Sequence, residues 1–137
     1  MSLVLDTGPV LALLDADDPA HRDCVDLVEG SAEDLVVPAA ILVEVDYWLR
    51  KLLGMPAVES FFEDLARGSY RLVGLDAAGY RRAAALEATY ADLSLGLVDA
   101  AVIVTCEVLG ETKVATLDRR HFCVVRPGHT DHLILLP

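Results

Sequence analysis

Short apolar runs rich in Val, Leu and Ile alternate along the chain with longer stretches in which apolar residues recur at helical spacing. The first run, Ser2 to Leu5, stops at Asp6-Thr7-Gly8-Pro9, which predicts a buried strand, a turn and then a helix opened by Pro9. Residues 19–29 begin at Pro19 and stop before Gly30, with Cys24, Val25 and Val28 set among charged residues, the pattern of a half-exposed helix. Leu35, Val36 and Val37 form a second strand-like run, stopped by Pro38. Residues 38–53 then read as one helix with Pro38 in its first turn, Arg50 and Lys51 near its end and Gly54 just past it. Glu44 falls in the middle of that helix. Another helix over 56–67 closes at Gly68, and a strand over 70–75 leads to Asp76, an N-cap for a helix reaching about Tyr90. Asp92 to Gly96 reads as a loop. Residues 97–109 predict an almost wholly apolar helix closed by Gly110, residues 113–117 a strand ending at Asp118, and residues 133–136 a last short strand.

Strands and helices in alternation predict an α/β fold, a three-layer α/β/α sandwich around a mostly parallel central sheet. A length of 137 residues, 54% of them hydrophobic, suits one domain spanning residues 1–137 with a substantial core. No repeat, low-complexity segment or linker divides it. No apolar run approaches the ~20 residues of a membrane span, and Met1 leads almost directly into an apolar run without a basic opening region or a cleavage site. A cytoplasmic protein with no membrane attachment is therefore expected. Cys24, Cys106 and Cys123 are odd in number and lack metal-ligand spacing, which leaves core packing as their expected role.

The acidic residues change the picture most. In an open parallel sheet the ligand site lies at the carboxyl ends of the strands, where Asp6 and Asp118 each stand at the end of an expected strand. Asp99 lies in Gly96-Leu97-Val98-Asp99-Ala100-Ala101-Val102, among residues suited to burial, and an unpaired buried carboxylate is costly. Glu44, between Val43 and Val45, raises the same question. Four carboxylates at one sheet edge raise each other's pKa unless hard, oxygen-preferring cations such as Mg²⁺ or Mn²⁺ sit among them. Such ions activate a water and offset the charge that grows on a phosphodiester during in-line attack.

Each residue also has a plainer reading. Asp6 suits an Asx turn before Gly8, Glu44 a surface helix pairing with an arginine, Asp99 a first-turn acid favoured by the helix dipole, and Asp118 a cap on the turn into Arg119-Arg120. Only for Asp99 do the neighbours themselves argue against the plainer role. Phe61 and Phe62 are adjacent on one helix, so one suits the core and the other a dimer or partner interface. His21, His121, His129 and His132 show no ligand pattern. Leu5-Asp6-Thr7-Gly8 matches the aspartic-protease triplet, but helical stretches at 38–53 and 97–109 are incompatible with that all-β fold. A phosphoacceptor pocket of the receiver type is disfavoured because Asp6 stands alone after its strand and Lys113 precedes its own.

Four segments in order resemble a PIN domain, and in particular the VapC-like toxins of toxin–antitoxin modules. They are Leu3-Val4-Leu5-Asp6-Thr7-Gly8-Pro9; Glu44 in its helix; Leu95-Gly96-Leu97-Val98-Asp99-Ala100; and Ala115-Thr116-Leu117-Asp118-Arg119-Arg120-His121-Phe122. The resemblance implies a metal-dependent endoribonuclease using Mg²⁺ or Mn²⁺, acting on RNA, forming a homodimer and inhibited by a cognate antitoxin protein. It makes Asp6, Glu44, Asp99 and Asp118 the catalytic and metal-holding quartet, with Thr7, Thr116 and Asp92 as outer members. Arg119 and Arg120, beside Asp118, suit either a phosphate contact at the rim of the site or ordinary surface charge. The net charge of −11 disfavours a groove-filling nucleic-acid binder and favours a basic protein partner. The rival reading is a catalytically silent PIN-like module that only binds RNA or protein.

Overall fold

The computed structural model describes residues 1–137. In chain order the elements are β1 (Ser2–Leu5), α1 (Thr7–Leu14), α2 (His21–Glu29), β2 (Asp34–Pro38), α3 (Leu42–Leu53), α4 (Met55–Arg67), β3 (Arg71–Val73), α5 (Ala77–Thr89), α6 (Leu97–Leu109), β4 (Lys113–Ala115), α7 (Arg119–Phe122) and β5 (Ile134–Leu136). The strands form one sheet in the order β3-β2-β1-β4-β5, and every neighbouring pair is parallel. The seven helices flank it, as the alternation of strand and helix patterns predicts.

The chain first winds outward on one side of β1, through β2 to β3, and then returns to build β4 and β5 on the other side. The gap between β1 and β4 at their carboxyl ends is therefore a topological switch point, where an open α/β sheet leaves a crevice. β1 is buried along its whole length, which is why its four residues carry no alternation of polar and apolar character.

Helix α1 packs against both α2 and α3, and α3 against α4, while α5 packs along α6 and α6 crosses β1 and β2. The run Ala100 to Cys106 of α6 is buried on every side, so the near absence of polar residues there reflects a central helix rather than a membrane span. Thr105, the one hydroxyl in that run, donates to the Ala101 carbonyl at 2.8 Å and so buries no unpaired group. No helix is long and apolar enough to cross a membrane.

Three local expectations change. The segment 38–53 is not one helix: Pro38 ends β2, Ala39–Ile41 is a 3-10 turn, and α3 starts at Leu42. Glu44 therefore sits in the first turn of α3, not mid-helix. The strand expected over 113–117 stops at Ala115, so Asp118 lies in the following loop and caps α7, a helix that periodicity does not reveal because it has only four residues. Cys24 and Cys106 are buried as expected, but Cys123 is exposed at the end of α7. Of the phenylalanine pair, Phe61 is in the core and Phe62 is 42% exposed.

Candidate active site

Asp6 is the first residue beyond β1. Its N–H donates to the Ala115 carbonyl at 2.9 Å, so the pairing of β1 with β4 runs one residue past the strand and fixes the Asp6 backbone in the crevice. Its side chain caps α1, Oδ1 accepting from the Thr7 N–H at 2.8 Å, while Oδ2 accepts from the Thr116 hydroxyl at 2.9 Å. The turn reading and the site reading of Asp6 thus describe one geometry. Burial pushes its carboxyl up to about 6; the Thr7 and Thr116 bonds oppose that rise, and the charges of Asp99 and Glu44 add to it.

The same turn reaches Glu44. Thr7 Oγ1 donates to Glu44 Oε2 at 2.9 Å, joining the start of α1 to the first turn of α3. Gly8 keeps this corner close to the loop after β4: a Cβ there would sit 3.3 Å from Leu117 Cβ. Asp99 enters from the first turn of α6. Its Oδ2 lies 2.5 Å from His121 Nδ1, and the other ring nitrogen of His121 lies 3.0 Å from the Leu93 carbonyl.

Asp118 is held differently. Its N–H donates to Thr116 Oγ1 at 3.2 Å, which ties its backbone to the Asp6 pair. Its carboxylate turns to Arg120, which grips it through Nε at 3.0 Å and Nη2 at 2.8 Å, and it also caps α7 by accepting from the Arg120 N–H. The Arg120 side chain holds this carboxyl down at about 2. The half-exposed pair is a weak contributor to stability.

The sheet and its loops therefore assemble Asp6, Glu44, Asp99, Thr7 and Thr116, with Asp118 at the margin. Asp92 is exposed in a 3-10 turn, and no hydrogen bond links it to the cluster. Arg119 donates to the carbonyl of Pro137, so of the two arginines only Arg120 faces the acids. His121, which has no ligand pattern in the sequence, is the residue that sequence reasoning misses. The available signal is its place three residues after Asp118, in the helical turn that Asp118 caps.

The donor chemistry fits a hard divalent cation: the converging groups are carboxylates and hydroxyls, and the buried Asp6 carboxyl is destabilised by two neighbouring charges that a cation would offset. The side chains do not close into a finished cage, since no three acidic, histidine or cysteine groups stand together as a ligand set. Asp118 and Asp99 are occupied instead by Arg120 and His121.

A five-stranded parallel sheet with acids gathered at its central switch point defines an α/β protein with a carboxylate site at the sheet edge. The sequence model of the PIN domain family matches residues 3–126, and the chain belongs to that family. It is 34% identical over 135 residues to Ribonuclease VapC26 of Mycobacterium tuberculosis, across 98% of this chain and 100% of that protein. Among solved structures, VapC20 of Mycobacterium tuberculosis, a sarcin-ricin loop cleaving toxin, superposes with a TM-score of 0.80 at 18% identity, over 86% of this chain and 91% of that one. A toxin–antitoxin complex from Klebsiella pneumoniae gives a TM-score of 0.72 at 17% identity, over 97% and 100% of the two chains. At those identities the structures report a shared fold.

Proposed function

We propose that this protein is a metal-dependent endoribonuclease, the toxin of a toxin–antitoxin module, with its site built on Asp6, Glu44, Asp99 and Asp118. The observation that carries the reading is the buried Asp6 carboxylate at the β1/β4 switch point, facing the charges of Asp99 and Glu44. Full-length similarity to a named ribonuclease supports the same conclusion.

Asp6 and Asp99 would hold the ion, Mg²⁺ or Mn²⁺, with Glu44 and Asp118 as further carboxylates around it. When bound, the ion supplies an activated water and stabilises the charge that develops on the scissile phosphate. The chain's own residues prepare for that event. Thr116 and the Thr7 N–H orient the two oxygens of Asp6, and Thr7 Oγ1 orients Glu44. Arg120 stands at the exposed rim on Asp118, placed to exchange its carboxylate partner for a phosphate, which its planar fork also fits. Arg119 is the weaker candidate for a phosphate contact because Pro137 engages it.

An antitoxin protein as partner is supported by the structural neighbour from Klebsiella pneumoniae solved as a toxin–antitoxin complex and by the net charge of −11, which suits a basic partner. Tyr47, Trp48, Leu52, Leu53, Met55 and Phe62 of α3 and α4 are exposed apolar surface, which supports a protein contact, either with the antitoxin or with a second copy in a homodimer. A cytoplasmic location accords with RNA as substrate.

The deciding experiment is cleavage of end-labelled total RNA by purified protein in Mn²⁺, Mg²⁺ or EDTA, beside Asp6→Ala and Asp99→Ala. Metal-dependent cuts lost in both variants are expected. Absence of cutting by the wild-type protein in any metal, with a co-purifying inhibitor excluded by mass spectrometry, would make the chain a silent binding module.

A further inference from the structure

We infer that His121 is a positioning residue for this site: it sets the carboxylate of Asp99 and pins the loop before α6, so that Asp99 presents one oxygen to a divalent cation. The inference rests on the metal-dependent reading above and extends it to a residue outside the carboxylate set.

The ring is engaged at both ends. The Leu93 carbonyl only accepts, so His121 Nε2, at 3.0 Å, carries a hydrogen and donates to it. Nδ1 lies 2.5 Å from Asp99 Oδ2, so both ring nitrogens are engaged by hydrogen-bonding partners. The ring therefore has one orientation, with no freedom to flip. Asp99 Oδ2 is taken up by this bond, and no protein group bonds to Oδ1. Asp99 is consequently not a freely rotating carboxylate on the first turn of α6; one oxygen is fixed and the other is left for the site.

The second contact matters because the segment it holds is strained. Leu93 ends a 3-10 turn, and Ser94 beyond it has φ 52°, the left-handed region that disfavours a residue with a side chain. The Ser94 N–H donates to Ala91 at 3.1 Å, and the His121 ring closes the turn from outside. Three residues later α6 begins, and Asp99 lies in its first turn. The ring thus fixes both the carboxylate and the loop that delivers it.

His121 reaches this place through α7. Asp118 caps that helix, and His121 follows in the same turn, with only 18% of its side chain exposed. One four-residue helix therefore couples Asp118, at the margin of the site, to Asp99 within it. Partners that orient a metal-binding side chain typically change metal affinity or activity about 10–100-fold when removed.

The test compares His121→Phe, His121→Asn and His121→Gln in the full chain. Asn places an amide nitrogen near Nδ1, keeping the bond to Asp99; Gln places one near Nε2, keeping the bond to Leu93; Phe keeps only the ring. Mn²⁺ affinity is read by electron paramagnetic resonance without RNA, RNA cleavage as kcat and KM, and the loop by hydrogen exchange at Ser94, Leu95 and Gly96. Phe is expected to weaken Mn²⁺ binding about tenfold or more and to lower kcat rather than raise KM. Asn should recover most of the Mn²⁺ affinity while the loop amides exchange faster. Gln should protect the loop but leave Mn²⁺ binding weak.

Wild-type Mn²⁺ affinity in the Phe variant would overturn the inference, as would Asn binding no better than Phe at equal melting temperature. A Phe variant that fails to fold leaves the Asn and Gln pair to decide it. Cleavage by the wild-type protein without any difference among variants would remove the role of His121 alone. The expected order of Mn²⁺ affinities without RNA cleavage would instead remove the nuclease reading and keep the role of His121.

Discussion

Thr116 Oγ1 donates to Asp6 Oδ2 across 2.9 Å, joining residues 110 positions apart in the chain. Thr116 is fully buried, and its hydroxyl also accepts from the Asp118 N–H at 3.2 Å. One side chain therefore organises the acid after β1 and the acid before α7. Thr116→Val keeps the shape but leaves both groups short of a partner, and a drop of about 1–3 kcal/mol in stability is expected from urea unfolding. The variant also loses a bond that holds the Asp6 carboxyl down. The acidic limb of its pH–rate profile should therefore move to higher pH, a shift that loss of stability alone would not produce.

The Asp6 carboxyl titrates at about 6 in the folded chain against 3.8 as its ordinary value. Between those values the folded protein holds a proton that the unfolded chain has released, so metal-free stability falls as pH rises through that window. Two units correspond to roughly 3 kcal/mol. Asp6→Asn removes the titration, because an amide can still accept from the Thr7 N–H and donate to Thr116. Its metal-free melting temperature should exceed the wild type's at pH 7.5 and match it near pH 4. A wild-type melting curve that does not vary between pH 4 and pH 6.5 would contradict this account.

Mn²⁺ should restore that lost stability, since a ligand bound only by the folded state raises the melting temperature with its concentration. The rise is expected in wild type at pH 7.5 and not in Asp6→Asn. Calorimetric scans over a Mn²⁺ titration, with EDTA as reference, measure it directly.

Asp99→Asn should abolish cleavage while leaving the fold intact or more stable without metal. Its amide nitrogen can donate to His121 Nδ1 while Nε2 keeps its bond to Leu93, and removing the charge relieves Asp6 of one of the two neighbours that raise its pKa. Unfolding of this variant in a thermal melt would make Asp99 a structural residue instead.

Glu107 supplies a contrast away from the site. It accepts from Arg82 Nη2 at 2.9 Å, Arg82 Nε at 3.1 Å and the Gly128 N–H at 2.7 Å, tying α5 and α6 to the C-terminal loop. Burial by itself would push its carboxyl up, but the Arg82 and Gly128 bonds outweigh burial and hold it below its ordinary range. A depressed folded pKa adds stability above the unfolded value that is lost as pH falls through the folded one, so Glu107→Ala should cost stability at pH 7 and progressively less in acid. The cost expected at pH 7 is about 1–3 kcal/mol. Cleavage at temperatures well below the melt should stay at the wild-type level.

The sequence by itself determined most of the elements and which acidic residues are candidates for the site. Leu3-Val4-Leu5 announces a buried strand and Asp6 its end; Gly110 and Gly68 close helices at left-handed positions as their placement implies; Ala100 to Cys106 announces a central helix. These features are local, because burial and backbone preference act on neighbours in the chain. The tertiary structure decided what no local pattern encodes. Strand order puts β1 beside β4 and so Asp6 beside Thr116, and the turn into α7 puts His121 on Asp99 and takes Arg119 to Pro137. A hydroxyl, an imidazole or a guanidinium bonds to whatever the fold brings within 3 Å or so. Its partner is therefore fixed by packing at long range, and its sequence neighbours are silent about it.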